Sequence, residues 1–267
     1  MRIRCGYEIA YDCPTPTPMM LMLNVRPERE PDLASPQVMV NDRGAPMRTY
    51  IDGFGNVCTR VLAPEGHIVF SADFLIDDSG EPDPIMLDQP QHKVEDLPDE
   101  TLVYLLGSRY CDTDRLSDLA WAEFGGTPEG GRRVQAIVEY AHNRVEFGYH
   151  HASSARTAYG AHEDQRGVCR DFAHLATTLC RCMNIPARYV TGYLGDIGIP
   201  PSDSPMDFSA WFQVFLGGEW RTFDARHNKP RIGRILMGHG RDATDVAITT
   251  TFGPAALVGF KVITEEV

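Results

Sequence analysis

The sequence predicts an α+β protein: an N-terminal antiparallel β-sandwich or barrel, followed by helices that lead into a second set of strands. Two observations carry this prediction. Ile3, Cys5, Tyr7, Ile9 and Tyr11 alternate with Arg2, Arg4 and Glu8, the pattern of a half-buried strand, and β-rich runs follow at 19–25, 48–52, 57–62 and 67–76 with no helical period before about residue 97. Beyond that point helical runs at 98–107, 113–124, 129–146 and 169–184 precede strands at 187–194, 208–216, 219–224, 246–251 and 257–263.

Each element has its own local signal. Asp52-Gly53-Phe54-Gly55-Asn56 supplies a turn between two early strands. The acidic, proline-bearing stretch around 80–98 reads as a linker open to proteolysis, and Asp96-Leu97-Pro98-Asp99-Glu100 reads as a helix start with acids in its first turn. The helix from Cys169 ends before Pro186, because the residue ahead of a proline is pushed out of the α region. Gly217-Gly218 reads as a two-residue hairpin turn that sets Leu216 opposite Glu219. The expected division is a β domain over 1–95 and a helix-then-sheet domain over 96–267, with its core at 130–230.

At 267 residues and 43% hydrophobic content the chain can bury a substantial core without disulfides, which excludes disordered and fibrous classes. A net charge of −12 speaks against a nucleic-acid partner, and no polybasic stripe speaks for a membrane. The first residues lack a continuous apolar stretch, so the expectation is a cytoplasmic protein. Seven cysteines, an odd number without a Cys-x-x-Cys pair, read as free thiols. His150-His151, with His142 and His162 at a distance, matches no metal spacing. Neither a metal nor a cofactor is expected, and the oligomeric state is left open.

The chemistry concentrates in Gly167-Val168-Cys169-Arg170-Asp171, where a cysteine follows a glycine at a helix entry. Free N–H groups and the positive end of the helix macrodipole favour thiolate there, so Cys169 is expected to have a depressed pKa and to alkylate most readily of the seven thiols. The alternative is a small buried core cysteine. On the helical wheel Cys169 shares an arc with Phe172, Ala173 and Leu175, while Arg170, Asp171, His174, Thr177, Thr178 and Arg181 lie opposite, His174 toward solvent or the neighbouring domain. In the hairpin register, Ser209, Trp211 and Gln213 share a face with Trp220, Thr222 and Asp224, and Ser209 and Asp224 become diagonal neighbours.

Gly167-Val168-Cys169, the strand 185–193 after its helix, Ser209-Ala210-Trp211 and Trp220-Arg221-Thr222-Phe223-Asp224 together resemble the transglutaminase-like superfamily, most closely a bacterial cysteine-protease branch with an N-terminal β domain. The resemblance implies a papain-like core with Cys169 as nucleophile, Asp224 as orienting acid and a histidine general base at position 209. Serine occupies that position here, and Ser209 cannot accept a proton near neutral pH. His227 and His174 are the candidate replacements: His227 points to the other sheet face unless a bulge intervenes, and His174 lies about 140° from Cys169 around its helix. Trp211 and Gln165 are assigned to substrate binding. The implied activity is hydrolysis of peptide or amide bonds through an acyl-enzyme, on a peptide or protein substrate. A catalytically impaired peptide-binding protein and a transglutaminase-type acyl transferase are the alternatives.

Overall fold

A computed structural model describes residues 1–201 and 205–267. In chain order the elements are β1 (Arg2–Cys13), β2 (Thr17–Leu21), β3 (Val40–Asn41), β4 (Met47–Ile51), β5 (Val57–Ala63), β6 (Gly66–Asp77), α1 (Asp99–Leu102), α2 (Thr113–Phe124), α3 (Gly131–Arg144), β7 (Glu146–Phe147), α4 (Ala158–Asp164), β8 (Arg166–Gly167), α5 (Cys169–Cys182), β9 (Ala187–Leu194), β10 (Ser209–Leu216), β11 (Glu219–Phe223), β12 (Arg234–Gly240), β13 (Thr249–Thr251) and β14 (Ala256–Glu266). Among the described residues no helix is long and apolar enough to cross a membrane.

The alternation read in the first strand sets the N-terminal half. Ile3, Cys5, Tyr7 and Ile9 are buried, and with Phe70, Phe74 and Ile76 of β6 and Met19 and Leu21 of β2 they form one hydrophobic cluster. Two antiparallel sheets supply it, ordered β14-β1-β6-β3 and β13-β2-β5-β4. Removing each such side chain from water contributes about 1.5–3 kcal/mol, which makes this face the main stabilising term of the half.

The division at residue 95 does not separate the sheets. β14 pairs with β1 from Ile3↔Glu266 to Asp12↔Ala256, and β13 pairs with β2, so the last strands return to the N-terminal half. Tyr193, Phe208, Ile235 and Met237 also join the N-terminal cluster, with Tyr193 edge-on to Phe74 at 5.9 Å between ring centroids. Local patterning finds strands but not their partners, and a strand partnered more than 200 residues away looks the same as one partnered nearby.

The second half packs α2, α3 and α5 on the antiparallel sheet β11-β10-β9-β12. The hairpin register is as expected, with Leu216 opposite Glu219 and Phe212 opposite Phe223. The helix expected over 98–107 is shorter: α1 gives way to a 3-10 turn at 103–105. Helix α5 is buried on all sides, not on one arc, because α2, α3, α4, β9 and β10 surround it. Its polar residues find partners inside: Arg181 donates to the Ala187 carbonyl at 2.8 and 3.0 Å, and Thr178 to the His174 carbonyl at 2.7 Å.

The stretch 78–98 is pinned as a strap across this half. Asp83 N–H donates to the Arg231 carbonyl, Gly131 N–H to that of Gln89 and Gly217 N–H to that of Pro90, at 2.9, 2.9 and 3.0 Å. A protease cut within it is expected to leave both fragments together through size-exclusion chromatography without denaturant, since β1 and β14 hold opposite ends of the chain in one sheet. Separate elution of the fragments would contradict the shared sheet.

Candidate active site

The entry to α5 is set by Asp171, whose Oδ2 accepts the Val168 N–H at 2.8 Å and so satisfies the N-cap amide. Gly167 is required beside it, because a Cβ there would stand 2.6 Å from Asp171 Cβ. This anchoring leaves Cys169 half-buried, whereas the other cysteines are buried. Part of the residue meets solvent, but the sulfur is enclosed: burial pushes its thiol up to about 11, against the attraction of Arg226 and the N–H groups of Ala210 and Arg170, with Asp207 adding to the rise. The depressed pKa expected from the helix terminus is thereby overturned, since desolvation of the anion outweighs the macrodipole. Alkylation of Cys169 by limiting iodoacetamide is expected to climb about tenfold per pH unit from pH 7 to 10, as thiolate becomes available. Peptide mapping by mass spectrometry checks this, and a rate already level at pH 6 would show an activated thiolate instead.

Strand β11 stops at Phe223, and the chain then turns, with the Asn228 N–H donating to the Asp224 carbonyl at 2.9 Å and Asn228 at φ +48°. The turn brings His227 back onto Asp224. The His227 N–H donates to Oδ1 at 3.0 Å, and Nδ1 lies 2.8 Å from Oδ2. His227 is therefore not on the opposite sheet face expected from the hairpin alternation, because β11 ends before it. Helix α3 holds the turn: His142 Nδ1 bonds the carbonyls of Ala225 and Arg226 at 3.1 and 2.9 Å, and Gln135 donates to Asn228 Oδ1 at 2.9 Å.

Asp224 is buried, which alone would raise its pKa, but Arg234 and His227 hold the carboxyl well below the usual range. Arg234 reaches it from β12, with Nη2 2.8 Å from Oδ2. An ionised carboxylate only accepts hydrogen bonds, so Nδ1 of His227 carries the proton and Nε2 keeps its lone pair. Burial, reinforced by Arg226 and Arg231, lowers the imidazole pKa against the pull of Asp224, and the ring is neutral at pH 7.

A cavity of about 50 Å³ opens beside His227, lined among others by Tyr149, Asp207, Ser209, Arg226, His227 and Arg231. Cys169 is not among the lining residues, but its thiol feels the charges of two that are, Arg226 and Asp207. Ser209 is buried there, and its hydroxyl has no hydrogen-bond partner among the described residues. Trp211, assigned to substrate binding, is only 2% exposed and offers no surface to a substrate. Its ring instead underlies the Arg234 guanidinium at 5.0 Å, so it packs the group that holds Asp224. Gln165 is exposed at the left-handed cap of α4, where its carbonyl accepts the Glu146 N–H at 2.8 Å, and it does not line this cavity.

His174 is fully buried, not turned to solvent. It stacks on Tyr110 at 5.1 Å, and its Nε2 accepts the Ala243 N–H at 3.1 Å, which commits that nitrogen to structure. Reading the sequence missed Arg234, Arg226 and Asp207. Arg234-Ile235-Leu236-Met237 carried the signal for β12, an apolar run after a glycine, but no motif marked Arg226 or Asp207.

Residues 120–225 match the sequence pattern of the transglutaminase-like superfamily. The chain thus carries a transglutaminase-like core. A crystal structure from Cytophaga hutchinsonii, described as a "putative cysteine protease", superposes with a TM-score of 0.88 at 28% identity, covering 99% of this chain and 90% of that one. The likeness therefore takes in the N-terminal sheets as well as the transglutaminase-like core. An uncharacterized protein of Mycobacterium leprae is 33% identical over 125 residues, 45% of this chain and 43% of that protein. Another from Mycobacterium bovis is 34% identical over 91 residues, 31% of this chain and 29% of that protein. The matches thus span less than half the length of these curated relatives.

Proposed function

We propose that this protein is a cysteine hydrolase of peptide or amide bonds in which His227 takes the place of the histidine absent at position 209. The observation that carries this reading is the Asp224–His227 pair, bonded at 2.8 Å, with His227 on the wall of a cavity shared with Arg226 and Asp207, the two side chains whose charges act on the Cys169 thiol. Nε2 of His227 takes the Cys169 S–H proton as the sulfur attacks the amide carbonyl carbon. The resulting imidazolium, held by Asp224, returns that proton to the leaving amine. Water then attacks the thioester with His227 again as base, releasing the acid and regenerating the thiol. The high resting thiol pKa fits a neutral thiol–imidazole pair in which the proton passes to Nε2 only as the sulfur attacks the bound carbonyl. The free thiols suit a reducing compartment such as the cytoplasm.

A second reading, a peptide-binding protein that does not cleave, is favoured by Ser209 and by the raised thiol. Turnover of a fluorogenic peptide-amide library decides between them, with Cys169→Ala as the blank and added primary amine to reveal acyl transfer. Activity above that blank supports the hydrolase. Binding of library peptides without turnover supports the second reading.

A further inference from the structure

The strap reaches the Asp224–His227 pair from behind through one side chain. Asp83 accepts from Nε of Arg234, 151 residues downstream, at 2.8 and 3.1 Å. Its Oδ2 also accepts the Arg231 N–H at 3.0 Å, which fixes the carboxylate itself. Arg234 carries the chain onward to Asp224 at 2.8 Å, and Asp224 to His227 at 2.8 Å. Nη1 of Arg234 is buried without a hydrogen-bond partner among the described residues. The two carboxylates therefore aim the guanidinium, with the Trp211 ring beneath it.

We propose that Asp83 is a positioning residue for His227, acting through Arg234 and Asp224 to aim the imidazole and to stabilise its protonated form. The inference rests on the reading of His227 as the base. Asp83, Arg234, Asp224 and neutral His227 together carry one negative charge, which the proton taken up by His227 cancels. Without Asp83 the same chain is neutral at rest and positive when protonated, in a region where Arg226 and Arg231 already disfavour the cation. The acidic groups facing it from other elements are engaged with those arginines: Asp196 lies 3.9 Å from Arg231, and Asp207 interacts with Arg226. Tyr149, also on the cavity wall, is neutral at these pH values. Sharing Arg234 between two carboxylates also leaves more of the Asp224 charge for the imidazole.

The test is a pH titration of full-length protein with labelled histidine rings, followed by NMR, the His227 signal being assigned by its loss in His227→Gln. Asp83→Asn and Asp83→Ser are both expected to lower the His227 midpoint by about one pH unit, a tenfold weaker proton affinity, so a folding failure in one leaves the other to decide. Asp83→Glu restores the charge and should bring the midpoint most of the way back. Asp88→Asn, which loses only the strap's surface bond to Arg132, should leave it unchanged. A folded Asp83→Asn or Asp83→Ser with the wild-type His227 midpoint overturns the inference, as does the same shift in Asp88→Asn. Turnover separates this from the functional reading: if His227→Gln still hydrolyses peptide amides, His227 is not the base, whatever the titration shows. A wild-type midpoint alongside inactive His227→Gln would sink only the role of Asp83.

Discussion

Replacing His227 with alanine is expected to lower kcat/KM for peptide-amide hydrolysis by about 10²–10⁴-fold, the usual contribution of a positioned general base. The loss should fall on kcat, since the imidazole takes its proton in the transition state and not when substrate binds. Fold and thiol should survive, because the ring is at the cavity wall and the turn that carries it is held independently by His142 and Gln135. Ser209→Ala should matter little, since its hydroxyl has no hydrogen-bond partner among the described residues. Ser209→His in the His227→Ala background should recover activity, because position 209 adjoins Ala210, whose N–H is directed at the Cys169 sulfur. Steady-state kinetics of the three variants checks the scheme. His227→Ala with wild-type kcat would remove His227 from it.

Acid is expected to unfold the protein steeply below pH 6, and two buried histidines outside the cavity lining account for much of the slope. His174 is 0% exposed, and burial lowers its pKa far below the ordinary value, with Arg170 and Arg181 adding to the effect and Asp242 opposing it. His239 is 6% exposed, and burial together with Arg188 and Arg26 pushes it down to about 2. Both folded values lie below the unfolded value of about 6.5, so the unfolded chain binds protons that the native state refuses. Stability present above that value is therefore lost as pH falls, by about 1.4 kcal/mol per pH unit for each group. Asp224, held low by Arg234 and His227, adds a further loss below about pH 4. Over two pH units the histidine pair alone approaches about 5 kcal/mol, the lower end of whole-domain stabilities. Urea denaturation between pH 4 and 7 measures the slope, and His174→Gln or His239→Gln should each flatten it by about 1.4 kcal/mol per unit. Stability that stays level from pH 7 to 5 would mean that these rings take up protons inside the fold.

The sequence by itself determined what depends on neighbours along the chain. Alternation from Ile3 to Tyr11 identified a strand, Gly217-Gly218 set the register of Leu216 on Glu219, and Gly167-Val168-Cys169 at a helix entry located the thiol. Ser209 in place of histidine was equally legible, because the spacing from Trp211 to Asp224 aligns the hairpin with the superfamily pattern. Only the tertiary structure decided the rest. A strand signal does not name its partner, so the return of β14 to β1 and the arrival of Arg234 on Asp224 were invisible locally. Whether the chain after Phe223 continues as strand or turns depends on α3 holding the Ala225 and Arg226 carbonyls, and that contact decides where His227 points. The ionisation of Cys169 and His227 was likewise out of reach, because a pKa sums desolvation and charge over every neighbour in space, and most of those neighbours are distant in sequence.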